Sequence, residues 1–498
     1  MKIKNIPSKG FCREQKVTFS LCYGIKIVTF IFLIGFITGC KKLVSVSAPI
    51  TSTNAANVYQ SDATAISAVT GLYASMNYNG YAGSCTLTDL DFMTGLSGDE
   101  LTLYSGVITA QLIQYYKDGI VPALGSIDFW NTIYPLIFDV NSAIGGVTSS
   151  NTLTPAIKQQ LLGETKFLRA FYYFYLVNLY GDVPLVLGTD YKTNAVLSRT
   201  PEAQIWQQII ADLLDAQNLL SSNYLDATLL NTTSERVRPT KWAASALLSR
   251  VYLYTGDWTD AVTQASQLIT NSSQYRLTSL ANTFLKNNSE AIWQLQSLST
   301  PSFTNTQEAT IFILPATGPS TGYPVYLSNN LLNSFEPNDK RRVNWIDSVN
   351  ILGSTYYYAY KYKAYLPNAA VTEYETVFRL AEQYLIRAEA YAQSGNSQAL
   401  ADLDTVRQRA GLPAYNGATD KASVLAAILH ERQVEFFVEW GHRWLDLKRA
   451  QTIDAVMGAP GGVCAAKGGT WSSDWAYYPI PLSDLQNDIY LSQNSGYN

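Results

Sequence analysis

The sequence predicts a mainly α-helical protein in which degenerate tetratricopeptide-like helical repeats carry a large insertion of loops and strands. Three helical segments end at glycine followed by Asp or Asn, at residues 181–182, 256–257 and 395–396. This pattern is typical of a helix end followed by a new helix start. Two of these pairs lie inside helical hairpins of similar form, which indicates a repeat. Between the hairpins, residues 290–365 lose the helical period and contain strand-like alternation.

An apolar run near the start of the chain predicts a secretion signal and a lipid anchor. The run from Ile27 to Cys40 follows a basic segment and spans 14 residues. As a helix it would be about 21 Å long, which is short of the ~30 Å hydrocarbon core of a bilayer. It ends in Ile-Thr-Gly-Cys, which resembles the lipobox of bacterial lipoproteins. We therefore expect residues 1–39 to be a signal peptide, Cys40 to be lipid-modified and residues 40–60 to be a flexible tether.

The charge balance argues against nucleic-acid binding. The chain has 35 basic and 39 acidic residues, a net charge of −4. Removal of residues 1–39, which carry six basic residues and one acidic residue, leaves −4 − 5 = −9. A nucleic-acid partner requires a basic face. Beyond Cys40, the cysteines that remain are Cys85 and Cys464, and the sequence leaves open whether they pair.

The first part of the chain is expected to alternate capped helices with a loop. Ser61 and Asp62 precede an apolar helical stripe and predict a helix that ends near residue 77. Residues 78–106 are rich in glycine and polar residues and are expected to form a long loop. A second helix is expected over about residues 127–144, with a kink at Pro135.

Proline, glycine and capping residues delimit the helices of the predicted repeats. Thr154-Pro155 and Thr200-Pro201 each place a capping residue before a proline at the first helical position. Gly256 is expected to end one helix in the left-handed conformation, and Asp257 to cap the next. We place the repeats at about residues 155–275 and 379–450. Aromatic residues with helical spacing in the first repeat are expected in the core: Phe171, Tyr172, Tyr173 and Tyr175.

The insertion, about residues 285–370, is expected to contain strands and part of the ligand surface. The stretches "EAIWQLQSL" and "ATIFILP" are typical of strands. The stretch "STYYYAYKYKAY" alternates, so one face of it should carry Tyr356, Tyr358, Tyr360 and Tyr362. Insertions and loops on a rigid scaffold are common places for binding residues.

Four stretches together resemble one known family. They are the lipobox with its tether, "RLAEQYLIRAEAYAQSG", "ILHERQVEFFVEWGHRWLDLKR" and the C-terminal "YYPIPLSDLQNDIYLSQNSGYN". With these motifs, residues 61–498 are similar to the SusD/RagB family of outer-membrane lipoproteins of the Bacteroidetes type. The resemblance implies the SusD-like α-α superhelix. The chain departs from the family pattern at Asp488-Ile489, where Asn-Pro is frequent, and at Ser495, where proline is common.

The resemblance also implies nutrient capture at the cell surface. Such proteins are anchored to the outer membrane by lipid, bind an oligosaccharide and deliver it to a SusC-like TonB-dependent outer-membrane transporter. Two alternatives stay open: a member of the same family that captures a peptide, and a non-catalytic repeat adaptor that binds only protein. We expect no cofactor and no nucleic-acid partner.

A sugar-binding surface needs aromatic rings for the apolar faces of the sugar and polar side chains for its hydroxyl groups. Both the early loop and the insertion supply this mixture, and the resemblance implies an aromatic surface built from the same two regions. The candidate ligand-binding residues are Tyr78, Asn79, Tyr81, Asp99, Tyr104, Tyr323, Tyr326, Asn330 and Trp345.

The residue inventory does not favour an enzyme. The chain has two histidines, His430 and His442, so it has few residues from which to build a histidine-based catalytic triad or metal site. We predict no catalytic residue and no metal-binding residue, and leave open whether a structural ion is bound. Acidic residues of the early loop could pair for glycoside hydrolysis, but are expected to be solvated: Asp89, Asp91, Asp99 and Glu100.

Overall fold

The computed structural model describes residues 55–76, 86–123, 128–298 and 305–497. The chain divides into two compact units, residues 1–57 and 58–498, and every element after the first short helix belongs to the second unit. The predicted signal peptide, Cys40 and most of the predicted tether lie outside the described residues. Within the described ranges, no helix is both long enough and apolar enough to span a bilayer.

Helices form most of the regular structure in the described part of the chain. Two short 3-10 helices lie at Leu87–Asp89 and Ser473–Ala476. The α-helices in chain order are α1 (Ala55–Val58), α2 (Asp62–Met76), α3 (Leu90–Ser97), α4 (Ala110–Tyr116), α5 (Phe129–Ser149), α6 (Pro155–Tyr180), α7 (Tyr191–Asn194), α8 (Glu202–Leu219), α9 (Lys241–Thr255), α10 (Trp258–Thr270), α11 (Gln307–Phe312), α12 (Asn329–Ser334), α13 (Arg341–Asn344), α14 (Leu380–Gln393), α15 (Ala399–Arg409), α16 (Lys421–Glu435), α17 (His442–Arg449), α18 (Ile453–Met457), α19 (Val463–Ala466) and α20 (Leu482–Asn487).

The strands of the described residues pair in three separate antiparallel ladders. All three ladders are short and involve residues of the insertion or its borders. The pairs are β1 (Leu101–Leu103) with β3 (Val325–Leu327), β2 (Ala291–Leu295) with β6 (Glu375–Arg379), and β4 (Ile346–Ile351) with β5 (Ser354–Ala359).

The predicted glycine end and helix cap of the central hairpin are confirmed. Helix α9 ends at Gly256, whose φ of 80° is left-handed. The Asp257 side chain then accepts a hydrogen bond from the Asp260 N–H at 3.2 Å and starts α10. Small side chains allow close packing, because Ala246 and Ala265 have no exposed surface. In the stacked arrangement that follows, α6 packs on α8, α9 on α10 and α10 on α14.

The predicted core position of the aromatic residues on α6 is confirmed, because all four have no exposed surface. The ring of Phe171 lies 5.4 Å from that of Trp293 on β2 and 5.9 Å from that of Phe378 on β6. Both contacts are edge-to-face, a favourable geometry for aromatic pairs. The aromatic cluster therefore joins the first repeat to the sheet that precedes the second.

Two local expectations are wrong. The stretch "ATIFILP" lies mainly in helix α11 instead of a strand, and the Thr306 side chain caps it by accepting from the Ala309 N–H at 3.4 Å. A short apolar run has no period that separates helix from strand. The loop predicted for residues 78–106 contains α3 and β1. Helix α3 has only eight residues, which is fewer than the window over which a helical period can be recognised in a sequence.

A buried network of ion pairs holds the insertion to the C-terminal helices. Arg341 has no exposed surface and pairs with Glu431 at 2.6 Å and Glu435 at 2.8 Å, both on α16. Arg379 on β6 pairs with Glu435 at 2.5 Å. Burial alone would raise the pKa of Glu435, but Arg409, Arg379 and Arg341 together hold it well below its usual range. The network therefore fixes α13 and β6 against α16.

Candidate functional site

A short two-stranded ladder brings the early segment and the insertion together. In the β1–β3 pair, Thr102 lies opposite Tyr326. Just beyond β1, the Tyr104 N–H donates to the Pro324 carbonyl oxygen at 2.7 Å. The first and last residues of both strands are buried, whereas Thr102, Tyr104 and Tyr326 are half-buried. Because side chains alternate across a strand, these three lie on the outer face of the ladder.

Two further tyrosines extend this outer face. The ring of Tyr356, on β5, lies 5.1 Å from that of Tyr326 and nearly perpendicular to it, at 83°. Tyr116, at the end of α4, is joined by hydrogen bonds of its hydroxyl to the Thr102 side chain and the Leu103 backbone. Each of the four rings is half-buried. We call this set the tyrosine surface: Tyr104, Tyr116, Tyr326 and Tyr356.

The chemistry of the tyrosine surface is neutral and amphipathic. Burial raises the pKa of Tyr326, and the neighbouring Tyr356 adds to the rise. Burial and the neighbouring Tyr326 likewise raise the pKa of Tyr116. These hydroxyls are therefore protonated at neutral pH, when each can donate and accept hydrogen bonds. Each ring offers an apolar face with a polar tip, which suits a ligand that alternates apolar faces with hydroxyl groups.

Buried charges fix the segment that leads into β1. The Asp99 carboxylate accepts two hydrogen bonds from the Arg443 guanidinium, at 2.8 and 2.7 Å. The Glu100 carboxylate accepts from the Val438 N–H at 3.1 Å. Burial and the neighbouring Asp99 raise the pKa of Glu100 to about 8. The Lys467 ammonium group donates to carbonyl oxygens at the end of α3, at 2.6 and 3.0 Å. The strand that carries one side of the tyrosine surface is thus anchored to the C-terminal part of the chain.

The acidic residues of the early segment are buried, so the expectation that they are solvated is wrong. The exposed fraction is 4% or less for every one of them: Asp89, Asp91, Asp99 and Glu100. Their short segment carries α3 into the core, where backbone N–H groups and arginines replace water as partners. For Asp99 and Glu100 the burial could not be read from the sequence, because their partners Arg443 and Val438 lie more than 300 residues further along the chain.

Several predicted ligand residues lie on or beside the tyrosine surface. Tyr104 and Tyr326 belong to it. Tyr323 is 36% exposed and lies two positions before the start of β3. Asn330 is exposed in α12, which begins directly after the Ser328 cap that follows β3. The insertion therefore presents both rings and an amide near the same ladder.

Other predicted ligand residues do not offer a free side chain. Trp345 has no exposed surface, and its indole N–H donates to the Leu280 carbonyl oxygen at 2.9 Å. Asp99 is held by Arg443, as described above. A ring without an exposed face cannot stack on a ligand, so Trp345 supports the fold. The remaining candidates lie outside the described residues and stay predictions: Tyr78, Asn79 and Tyr81.

Sequence reasoning missed Tyr116 and Tyr356 as members of the surface. Tyr356 belongs to the alternating run, which favours a structural strand, and Tyr358 in the same run is indeed buried. Tyr116 ends a short helix without any motif. Only the pairing of strands that are distant in sequence brings these rings together, so no local signal could have found them.

The described residues also contain one group of acidic side chains with the spacing of metal ligands. It consists of Asp91, Glu308 and Glu375, each of which offers a carboxylate oxygen within 4.8 Å of the others. Elsewhere in the described chain, Cys464 is a buried free thiol, whereas Cys85 lies outside the described residues.

Comparisons with known proteins give matches along most of the chain. Residues 348–497 match the model of the SusD family, and residues 98–253 match a model described as starch-binding, associating with outer membrane. SusD-like protein P25 of Formosa agariphila is 26% identical over an alignment of 542 residues, which covers 95% of this chain and 99% of that protein.

Solved structures share the fold. A SusD superfamily protein from Bacteroides vulgatus has a TM-score of 0.74 at 21% identity, covering 88% of this chain and 100% of its own. A protein described as a laminarin-binding SusD-like protein has a TM-score of 0.70 at 23% identity, covering 87% of this chain and 99% of its own. The matched models span both the early helices and the C-terminal region, and the alignment with the relative spans nearly the whole sequence. Two separate regions of the chain thus match models of the SusD type, and the chain is similar to the SusD/RagB family.

Proposed function

We propose that this protein is a non-catalytic cell-surface lipoprotein that binds an oligosaccharide on the tyrosine surface and delivers it to a TonB-dependent outer-membrane transporter. The observation that carries the proposal is the tyrosine surface itself. Segments far apart in the chain place four half-buried rings together, with neutral hydroxyl groups at Tyr116 and Tyr326. Pyranose sugars have apolar faces that stack on such rings and hydroxyl groups that bond to such tips.

The described ligands of similar proteins support a glycan. The model that matches residues 98–253 is described as starch-binding, and one structural neighbour is described as laminarin-binding. Starch and laminarin are both polymers of glucose. A glucan oligosaccharide is therefore the first ligand class to test on this protein, with peptides as the comparison.

The surroundings of the histidines support binding without turnover. The ring nitrogen Nε2 of His430 is hydrogen-bonded to the Ser334 carbonyl oxygen at 2.7 Å. His442 is buried, and burial together with the Arg250 and Arg432 guanidinium groups holds its pKa well below the usual range. A histidine that is engaged or held neutral in the core is poorly suited to general acid–base catalysis.

The predicted lipobox supports attachment to the membrane through Cys40, with residues 40–60 as the tether. Association with the outer membrane also agrees with the description of the model that matches residues 98–253. A lipid-anchored receptor on a tether can remain beside a transporter while its ligand surface faces the medium. The transporter partner belongs to the proposal on the strength of the family resemblance.

Substitution of Tyr326 or Tyr356 by alanine should weaken oligosaccharide binding. Each change removes one ring and disrupts its 5.1 Å contact with the other. Loss of one stacking ring should cost about 1–1.5 kcal/mol, or roughly 5- to 13-fold in Kd. The measurement is titration calorimetry of the detergent-purified protein against starch and laminarin oligosaccharides, with matched peptides as a second panel.

The matched control is Tyr191→Ala on α7, which removes a ring that is 73% exposed and lies outside the tyrosine surface. Its affinity should equal that of the unsubstituted protein. Equal weakening by all three variants, tight binding of peptides alone, or release of shorter sugars during the titration would each contradict the proposal.

A further inference from the structure

Three buried carboxyl groups from distant parts of the chain meet in one place. Asp91 lies on α3, Glu308 on α11 and Glu375 on β6, and they are 2%, 6% and 3% exposed. One carboxylate oxygen of each lies within 4.8 Å of the others. Two oxygens on opposite sides of one Ca²⁺ ion, each at about 2.3–2.6 Å, are about 5 Å apart. The spacing therefore allows all three groups to bind the same ion.

The hydrogen bonds around the three groups leave one oxygen unpaired. The Tyr362 hydroxyl donates to Glu375 Oε1 at 3.2 Å, and the Trp440 backbone N–H donates to Asp91. Side-chain hydrogen bonds also link Glu308 to Asp91 and to Glu375, and they require protons on these carboxyl groups that a bound cation would displace. Asp91 Oδ1, although buried, has no hydrogen-bond partner. An unpaired buried carboxylate oxygen is costly and rare. Its place within the acidic group indicates a positively charged ligand.

A neighbouring ammonium group is already committed to other acceptors. Lys361 donates to the carbonyl oxygens of Glu435 and Phe437, at 3.0 and 2.7 Å, and to the Glu439 carboxylate. All three of its N–H donors are used. Burial raises the pKa of Asp91 to about 7, although the Lys361 charge lowers it in part, and burial raises the pKa of the two glutamates well above their usual value.

We propose that Asp91, Glu308 and Glu375 bind one Ca²⁺ ion. An all-oxygen set of carboxylates suits Ca²⁺, whereas Zn²⁺ takes histidine and cysteine ligands in most sites. Mg²⁺ is less suitable, because it keeps several waters and is usually held by one or two carboxylates. Two positive charges would offset most of the three negative charges. A small cavity lined by Glu308, Lys361 and Tyr362 adjoins the group, where a water ligand would fit.

The ion would connect three parts of the fold that share no continuous element. Helix α3 leads into β1, and Tyr104 of the tyrosine surface directly follows that strand. Helix α11 belongs to the insertion, and β6 leads directly into α14 of the second repeat. The Ca²⁺ ion therefore stabilises the contacts between the segments that carry the tyrosine surface and the helical repeats. This role is independent of which ligand the tyrosine surface binds.

The test uses the detergent-purified protein and the metal alone. After treatment with a chelator, added Ca²⁺ should raise Tm by at least about 2 °C when it is well above its Kd. Calorimetry should give one Ca²⁺ per chain. Tb³⁺, which replaces Ca²⁺, should luminesce on excitation of Trp440 and Tyr362 next to the site, and Ca²⁺ should displace it.

Glu308→Gln keeps the size of the side chain but removes one charged ligand. It should weaken Ca²⁺ binding and Tb³⁺ luminescence by at least about tenfold. Asp215→Asn is the matched control, because Asp215 is an exposed acid paired with Lys166 at the surface, and its response should equal that of the unsubstituted protein. If Glu308→Gln fails to fold, the test rests on the unsubstituted protein, which should bind one Ca²⁺ per chain. No Tm shift and no bound Ca²⁺ in that protein, or an unchanged response in a folded Glu308→Gln variant, would overturn the proposal.

Discussion

At the scale of single residues, the position of the Tyr104 ring depends on Gly106, two residues further along the chain, because glycine has no side chain. A Cβ atom on Gly106 would lie 2.5 Å from Cε1 of Tyr104 and 3.1 Å from its Cζ. These distances are well inside van der Waals contact. Gly106 itself is exposed, so it contributes little to the core. A glycine at this position therefore serves the placement of one ring of the tyrosine surface.

Gly106→Ala should lower ligand affinity without lowering stability. The new methyl group would force the Tyr104 ring to turn away, which should cost about 1 kcal/mol of binding, or roughly fivefold in Kd. Calorimetry with the oligosaccharide found for the unsubstituted protein gives the affinity, and thermal unfolding gives the stability. The same substitution at Gly71 is the control, since a Cβ there meets no atom within 4 Å. Unchanged affinity in Gly106→Ala would show that Tyr104 does not contact the ligand.

Residue identity alone could predict some members of the site but not their surroundings. Tyr104 and Tyr326 were predicted from a local mixture of aromatic and polar residues, and both lie on the tyrosine surface. Trp345 comes from the same kind of mixture, yet it is fully buried. The difference arises from tertiary packing, because Trp345 finds a carbonyl acceptor at Leu280, 65 residues away. A sequence window cannot contain that information.

At the scale of secondary-structure elements, the connection between α3 and β1 contains a proton that titrates near neutral pH. Glu100 is the third residue after the end of α3 and directly precedes β1. Its pKa is raised to about 8 by burial and by Asp99, against 4.5 for an ordinary glutamate. Between these two values the folded chain holds a proton that the unfolded chain has released. The free energy of unfolding must therefore fall as the pH rises through this window.

Glu100→Gln should flatten this pH dependence. The amide keeps an oxygen that can accept from the Val438 N–H but carries no titrating proton. At pH 8.5 the variant should be more stable than the unsubstituted protein, by on the order of 3 kcal/mol, and the difference should shrink towards pH 5. Urea unfolding of both proteins at several pH values measures this difference in stability. If the free energy of unfolding changed with pH in the same way in both proteins, the titration could not be assigned to Glu100.

Elements with local signals could be predicted, and elements that depend on distant partners could not. The α9–α10 hairpin follows from Gly256 and Asp257, which act within a few residues of themselves. Strands β1 and β3 have three residues each and lie more than 200 positions apart. Neither has enough length to show alternation, and each is stabilised by the other. The tyrosine surface rests on this pair, which is why its full membership was not predicted.

At the scale of the whole molecule, buried arginines hold the insertion and the C-terminal helices together. Arg341 has no exposed surface and joins α13 to α16 through Glu431 and Glu435. It also pairs with Asp339 at 2.8 Å. Buried pairs of this kind contribute less than their short distances suggest, because each charge has lost its water. Removal of one partner is costly, since the remaining charges stay buried.

Arg341→Met should destabilise the protein by about 3–5 kcal/mol, because three buried carboxylates lose their common donor. Urea unfolding at pH 7 measures the loss. Lys166→Met is the control, since Lys166 pairs with Asp215 at the surface, where the Asp215 side chain is 56% exposed. That change should cost less than about 1 kcal/mol. Similar losses in the two variants would show that the interior network does not hold the two regions together.

The fold class could be predicted at this scale, whereas the interior charges could not. Helical hairpins with glycine ends and small residues predict stacked repeats, and the solved relatives share that architecture. The acids Asp91, Glu308 and Glu375 are separated by 217 and 67 positions in sequence (308 − 91 and 375 − 308). Acidic residues are usually solvated, so without the fold nothing marks these three as neighbours.

All four rings of the tyrosine surface lie outside the stacked helices at about residues 155–275 and 379–450. Under the proposed function, ligand recognition and the helical framework therefore depend on different stretches of the sequence. Substitutions around residues 104, 116, 326 and 356 would then change the ligand preference, while the sequence of the stacked helices stays the same.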